Sequence, residues 1–158
     1  MQDIKKEYER LLKSEEFKNE GFLSGVFLMS DFQNLNDAFW QLDFYNEKTN
    51  LMISYLMEDK ILLTENSEVF KEEKTKVKKI NLNELKINFI EILNISNKII
   101  EKKKENPVKI VIILQENESL IWNISYMTSK LNLVNIKISA EDGKILNEST
   151  QQLMSFSK

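Results

Sequence analysis

Carboxylates are the side chains of this sequence that could do chemistry, because it contains 25 Asp and Glu residues but no histidine and no cysteine. Two carboxylates held side by side can act as general acid and general base. Asp43 is the candidate of most interest, since it lies in the middle of a predicted strand between Leu42 and Phe44. The alternation of that strand places Asp43 on its outward face, so we interpret it as a solvated side chain.

The other acidic residues and the glycines fit no known catalytic or binding motif. Asp59 and Asp142 lie in predicted turns, and Gly143 supplies the positive φ that the second turn favours. Neither Gly21 nor Gly25 belongs to a glycine-rich phosphate loop, and no Asp-x-Asp-x-Asp spacing indicates a metal site. We therefore expect no catalytic residue, no metal and no cofactor, and we predict that the protein is not an enzyme.

Charge and hydrophobicity limit the partners and the location. The 158 residues include 22 basic and 25 acidic ones, a net charge of −3, which is the wrong sign for nonspecific nucleic-acid binding. No apolar run reaches the roughly 18 residues of a membrane span. The charged residues 1–7 do not resemble a signal peptide. We expect a cytoplasmic protein from the sequence as written, or an extracytoplasmic one if a native signal or anchor is missing from it.

Apolar periodicity predicts two similar halves, each with one helix followed by strands. Helical spacing covers 3–18 and 82–104. The apolar runs predict eight strands, at 22–29, 39–45, 51–57, 61–63, 108–114, 120–127, 131–140 and 144–146. Trp40–Phe44 also matches Trp122–Tyr126 at an offset of 82 residues, which favours an internal duplication.

An antiparallel meander with one apolar face needs a helix to cover that face. We therefore predict an α+β fold of two tandem units, each with one helix and a three- to four-stranded antiparallel meander. The units span 1–66 and 81–150, with a charged connector at 67–80 and a tail at 151–158. The matched tryptophans, Trp40 and Trp122, are predicted to be core residues and not ligand-stacking groups.

The first strand of each unit is apolar on both faces, which predicts an interaction surface. One strand contributes Leu23, Phe27 and Met29, and the other contributes Val111 and Ile113. Because both sides of these strands favour burial, we expect the second face to be where the two halves meet or where two chains associate. Tyr45 and Met127, at strand ends, are weaker candidates for an exposed patch.

The segment 134–146, Val-Asn-Ile-Lys-Ile-Ser-Ala-Glu-Asp-Gly-Lys-Ile-Leu, resembles the closing motif of PepSY domains, which are peptidase-propeptide-like modules. Upstream, Trp122–Tyr126 resembles their middle strand and Ile90–Ile100 their preceding helix. The chain departs from the family pattern at Ser139 and Asp142, where the family has Asp and Thr.

The resemblance to PepSY domains covers about 80–150, with a degenerate echo in 1–64. It implies a cystatin-like α+β fold and a role in binding or restraining a partner such as a peptidase, and it implies no catalytic residue. Members of the family are usually exported.

Three functions remain open from the sequence. The first is a non-enzymatic protein-interaction module, such as a regulator or inhibitor of a peptidase, or a module that self-associates. The second is a protein that binds a small apolar ligand in a cavity between helix and sheet. The third is an enzyme that relies on carboxylates alone, which would require several acidic side chains to converge in one cleft.

Overall fold

A computed structural model describes residues 3–68 and 76–153 of the chain. It contains two α-helices and eight strands, together with 3-10 turns at Phe32–Asp37 and Leu82–Glu84. The elements in chain order are α1 (Ile4–Leu12), β1 (Phe22–Asp31), β2 (Gln41–Asn46), β3 (Leu51–Leu56), β4 (Leu62–Glu68), α2 (Phe89–Lys102), β5 (Pro107–Glu116), β6 (Leu120–Thr128), β7 (Asn132–Ser139) and β8 (Ile145–Gln152).

The eight strands form one antiparallel sheet in the order β4-β3-β2-β1-β5-β6-β7-β8. The prediction of two tandem helix-plus-meander units of the PepSY or cystatin type is therefore wrong, because the chain builds a single continuous sheet. Strands β1 and β5 are neighbours at its centre, where Val26 lies opposite Leu114 and Asp31 opposite Lys109. This pairing satisfies backbone groups that two separate sheets would leave open at their edges.

The side-by-side pairing of β1 and β5 also corrects the expectation that their second faces bring the two halves together. The halves meet along the strand edges, through backbone pairing. The second face of each strand points away from the core, to the side of the sheet opposite the buried cluster.

One side of the sheet carries both helices and the hydrophobic core. Ile110 and Ile112 of β5 are fully buried there, and they belong to the same cluster as Leu11 of α1 and Ile92 of α2. The 3-10 turn at Phe32–Asp37 contributes its buried leucine to this cluster as well. In the described part of the chain, every helical segment therefore packs on this side, and we call the opposite side the open face.

Helix α1 is shorter than the predicted span of 3–18. Its first turn is capped by the Asp3 carboxylate, which accepts hydrogen bonds from two backbone amides. Beyond Leu12 the chain turns so that the Phe17 ring packs against Phe44 and Tyr55, with ring centroids 5.3 and 5.9 Å away. Burial of this aromatic ring, which a continued helix would direct elsewhere, explains the early end.

Helix α2 begins later than the predicted residue 82. Asn88 is its N-cap, and the Asn88 side chain accepts a hydrogen bond of 2.9 Å from the amide of Glu91. The chain before it is held elsewhere, because the amides of Lys86 and Ile87 both donate to the carbonyl of Ala140 at 2.9 Å. The apolar residues before Asn88 are spaced as they would be in an α-helix. In the structure these residues form a 3-10 turn and an extended link.

The two outermost strands are longer than predicted. Strand β4 continues to Glu68, and β8 continues to Gln152. Both are rich in polar residues, so their apolar periodicity is weak and pairing with a neighbouring strand decides their extent. The central part of the predicted connector, residues 69–75, lies outside the described residues.

The prediction that both tryptophans are core residues is confirmed, since Trp40 and Trp122 are 1% and 0% exposed. Their ring centroids are 6.1 Å apart, and Trp40 also meets Phe89 of α2 edge to face at 5.2 Å. The indole N–H of Trp122 donates to the carbonyl of Ile87 at 2.9 Å. The two rings thus join the centre of the sheet to the start of α2.

Tyr126 of β6 forms a buried polar contact with α2. Its hydroxyl lies 2.6 Å from the Ser96 hydroxyl and donates to the side-chain oxygen of Asn97 at 3.0 Å. Burial raises the pKa of Tyr126 to about 12, although the hydrogen bond with Ser96 acts to lower it. The neutral phenol is therefore part of the native packing.

We expect Tyr126→Phe to lower the free energy of unfolding at neutral pH by about 1–2 kcal/mol, because the Ser96 and Asn97 groups lose a partner. In the unfolded chain the phenol titrates near pH 10, as free tyrosine does. Since the folded pKa is higher, the stability linked to this proton is present below pH 10 and is lost as the pH rises through about 12. Urea titrations should show that the difference in free energy of unfolding between wild type and variant becomes smaller from pH 9 to 12. A difference that stays constant over this range would contradict this assignment.

Candidate interaction surface

Four of the five residues predicted as an interaction surface form one block at the middle of the open face. Met29 lies directly opposite Val111, and Phe27 lies directly opposite Ile113, across the central β1–β5 pair. The residues between them on β1 and β5 belong to the core, so these four side chains point to the other side. Met29 is 64% exposed, and the other three are half-buried. We call these four residues the central patch.

The fifth predicted residue, Leu23, lies in the core and is 3% exposed. Ser24 is an extra residue in β1, because Leu23 faces Phe44 on β2 while Gly25 faces the adjacent residue, Asp43. Such a bulge reverses the alternation, so Leu23 points to the helix side and Phe22 to the open face. A strict period of two places Leu23 with Phe27, and this is why the sequence pattern failed here.

Next to the patch, β6 and β7 present a network of polar side chains that sequence reasoning did not single out. Asn123 lies opposite Ile113, and Ser125 lies opposite Val111. The side-chain amide of Asn135 donates to Asn123 Oδ1 at 2.6 Å and to Ser125 Oγ at 2.9 Å. The alternation of polar and apolar residues along β6 could have indicated this polar face from the sequence. These hydrogen bonds fix the border of the patch on this side.

On the other side of the patch, Asp43 is held by neighbours and does not form a catalytic pair. Its Oδ1 atom accepts hydrogen bonds from the Ser54 hydroxyl at 2.6 Å and from the Gln41 side-chain amide at 2.9 Å. Gln41 in turn lies opposite Phe27. Asp43 does point to the open face, and its contacts make it a second polar border of the central patch.

The two weaker candidates lie apart from the patch. Tyr45 is buried, since its ring meets Phe22 edge to face at 5.8 Å and its hydroxyl donates to Asn50 at 2.6 Å. Met127 is partly exposed at the end of β6, opposite Lys109. Neither residue adds apolar area to the central patch.

Glu116 is a carboxyl with a shifted pKa, and it ends β5 near the connector. Burial raises the pKa of Glu116, and the Glu84 and Glu141 carboxylates raise it further, while the Lys78 charge acts in the opposite direction. A general acid needs a substrate held within hydrogen-bond reach of its proton. The structure shows no polar partner for the buried Oε2 atom among the described residues. The raised pKa alone does not identify Glu116 as a general acid.

A cleft of about 710 Å³ lies between α1, the Phe32–Asp37 turn and the end of β3. It contains the only arginine of the sequence, Arg10, which binds the buried Glu7 carboxylate at 2.8 Å and the Glu58 carbonyl at 2.9 Å. The guanidinium therefore fastens α1 to the β3–β4 turn. Because charged side chains line much of this cleft, it does not support the alternative of an apolar ligand cavity between helix and sheet.

Within residues 3–68 and 76–153, no three Asp or Glu side chains are grouped so that they could hold a metal ion. In the same part of the chain, no helix combines the length and apolar character that crossing a membrane requires.

Comparison with solved structures finds a protein of similar fold. A crystal structure described as that of "a putative lipoprotein" from Clostridium difficile 630 superimposes with a TM-score of 0.54 over 84% of each chain. The two sequences are 11% identical, so the likeness concerns the fold alone. No protein-family model matches this chain. No curated protein matches it either.

Proposed function

We propose that this protein is a non-enzymatic interaction module that binds a partner protein through the central patch. The observation that carries the proposal is the pairing of Met29 with Val111 and of Phe27 with Ile113 on the open face. Side chains on the solvated face of an antiparallel sheet are usually polar. Here four adjacent apolar side chains lie between two hydrogen-bonded polar borders, which is the arrangement of an interface core with a polar rim.

The partner class we propose is a peptidase, and this rests on the resemblance of residues 80–150 to PepSY domains alone. The fold similarity to a structure described as a lipoprotein makes an extracytoplasmic partner part of the same proposal. The partner search therefore covers both cytoplasmic and envelope fractions of the host.

The test compares two variants that introduce the same charge on opposite sides of the molecule. Met29→Lys alters the central patch, and Ile90→Lys alters the exposed face of α2; the two native side chains are 64% and 68% exposed. Because both are exposed, we expect both variants to unfold within about 0.5 kcal/mol of wild type. Proteins captured by the wild type and by Ile90→Lys but lost with Met29→Lys are the candidate partners.

Each captured protein is then purified and assayed. A peptidase whose activity changes on adding wild type, and does not change on adding Met29→Lys, would support the proposal. Equal capture by all three proteins would overturn the assignment of the central patch. Capture of a partner that is not a peptidase would retain the interaction surface and overturn the peptidase assignment.

A further inference from the structure

Strand β8 forms one edge of the sheet, and all of its residues are exposed. It is eight residues long and contains a single charged residue, Glu148. Natural sheets usually protect their edges with lysines, prolines or short strands, because a long unprotected edge readily pairs with another strand. The character of β8 therefore suits it to accept a further strand.

The hydrogen bonds of β8 show which of its backbone groups point outward. The Leu153 amide, just after the strand, donates to the Leu131 carbonyl at 2.8 Å. Hydrogen-bonded pairs recur at every second residue of an antiparallel pair. Ser149, four residues before Leu153, therefore also directs its amide and carbonyl groups toward β7. The alternate residues, Glu148 and Thr150, consequently direct their amide and carbonyl groups toward the outer edge.

We propose that β8 pairs antiparallel with β8 of a second copy of this chain, about a two-fold axis through Ser149. This goes beyond the proposed function, because it concerns an edge of the sheet and not its open face. In this register Glu148 lies opposite Thr150 of the second copy, and Asn147 lies opposite Gln151. The Glu148 carboxylate therefore lies opposite the Thr150 hydroxyl, and the Asn147 side-chain amide lies opposite that of Gln151.

Charge disfavours the register whose axis lies one residue earlier. An axis through Glu148 would set the two carboxylates face to face, which is unfavourable in a cross-strand pair. With the axis at Ser149, each carboxylate instead lies near a lysine. The Lys103 Nζ atom is 3.1 Å from Thr150 Oγ1 and 3.6 Å from Glu148 Oε1 of its own chain. Each copy therefore brings a cation to the site where the other copy brings Glu148.

The ends of β8 favour a second copy over an unrelated peptide. Ile145 and Leu146 at its start are about half exposed, and Leu153 follows its end. An axis through Ser149 brings the apolar start of each strand, which lies beyond the register shift before Asn147, close to the apolar end of the other strand. A two-fold interface must be self-complementary, and this apolar–polar–apolar pattern has the same order in both directions.

A single introduced cysteine tests this geometry, because the native chain has none. In the proposed register the two Ser149 residues form a pair without hydrogen bonds, whose Cα atoms are about 4.5 Å apart. That distance permits a disulfide. The matched control, Asn147→Cys, is on the same face of the same strand, but its copies are about four residues apart along the pair, roughly 14 Å.

We expect Ser149→Cys to form a disulfide-linked dimer at least about tenfold faster than Asn147→Cys under mild oxidation. Sedimentation of the wild type should show a monomer–dimer equilibrium that shifts with concentration. Equal cross-linking rates, a constant monomer mass, or assemblies larger than a dimer would overturn the proposal. Met29→Lys should leave the dimer unchanged, so this test can fail while the partner-binding proposal stands, and the reverse also holds.

Discussion

Gly21→Ala is expected to lower the free energy of unfolding by about 3 kcal/mol or more, through two costs that act together. Gly21 has a φ of +76°, a conformation that alanine adopts only with strain. A Cβ atom there would also lie 2.2 Å from the carbonyl oxygen of Tyr45 and 2.9 Å from the amide nitrogen of Asn46. Both are backbone atoms of β2, so the pairing of β1 with β2 would have to shift.

The other two glycines provide matched controls that separate these costs. Gly143 has a φ of +77°, but its added Cβ would meet only the Ile95 and Ile87 side chains at 3.6 and 3.7 Å. We expect Gly143→Ala to cost about 1–2 kcal/mol from strain alone. Gly25 has no positive φ and would meet Asp43 at 3.8 Å, so Gly25→Ala should be near neutral. Urea unfolding followed by tryptophan fluorescence gives the order of stability of the three variants. A Gly21→Ala protein as stable as Gly25→Ala would contradict the packing of β1 on β2.

Trp122→Ala is the second substitution with a large expected effect, a loss of about 3–5 kcal/mol. The Trp122 ring is fully buried beside Trp40, so its removal leaves a cavity in the core shared by both halves of the sheet. Trp122→Phe separates packing from hydrogen bonding. It keeps an aromatic ring but leaves the Ile87 carbonyl without its indole donor, which should cost about 1–3 kcal/mol.

Leu12→Ala is the control for Trp122→Ala, because Leu12 lies at the exposed end of α1 and its truncation should change stability by no more than about 0.5 kcal/mol. Chemical denaturation monitored by far-ultraviolet circular dichroism compares all three variants. If Trp122→Ala were no less stable than Leu12→Ala, the tryptophan pair would not be part of a shared core.

The strands of this protein could be predicted from the sequence where one face is buried. Alternation identified β2, β3 and β7, and it failed where the local pattern was broken or absent. The bulge at Ser24 moved Leu23 from the open face into the core. Polar β8 has almost no alternation, so the sequence predicted only its start and its pairing with β7 decides its full length.

The continuous sheet could not be predicted from local patterns, because it depends on the pairing of β1 with β5, which are far apart in sequence. A signal for it was nonetheless present. Both strands are apolar on both faces, and they are the two central strands. We interpreted this feature as two faces in contact. The structure shows edges in contact, which leaves the second faces together as the central patch.

The affinity of a purified partner for three forms of the protein tests the central claim most directly. Calorimetric titration of wild type, Met29→Lys and Ile90→Lys should give a dissociation constant at least about tenfold higher for Met29→Lys, because a lysine charge would be buried in an apolar contact. Ile90→Lys should bind within about twofold of wild type. Equal affinities for Met29→Lys and wild type, with both proteins folded, would contradict binding through the central patch.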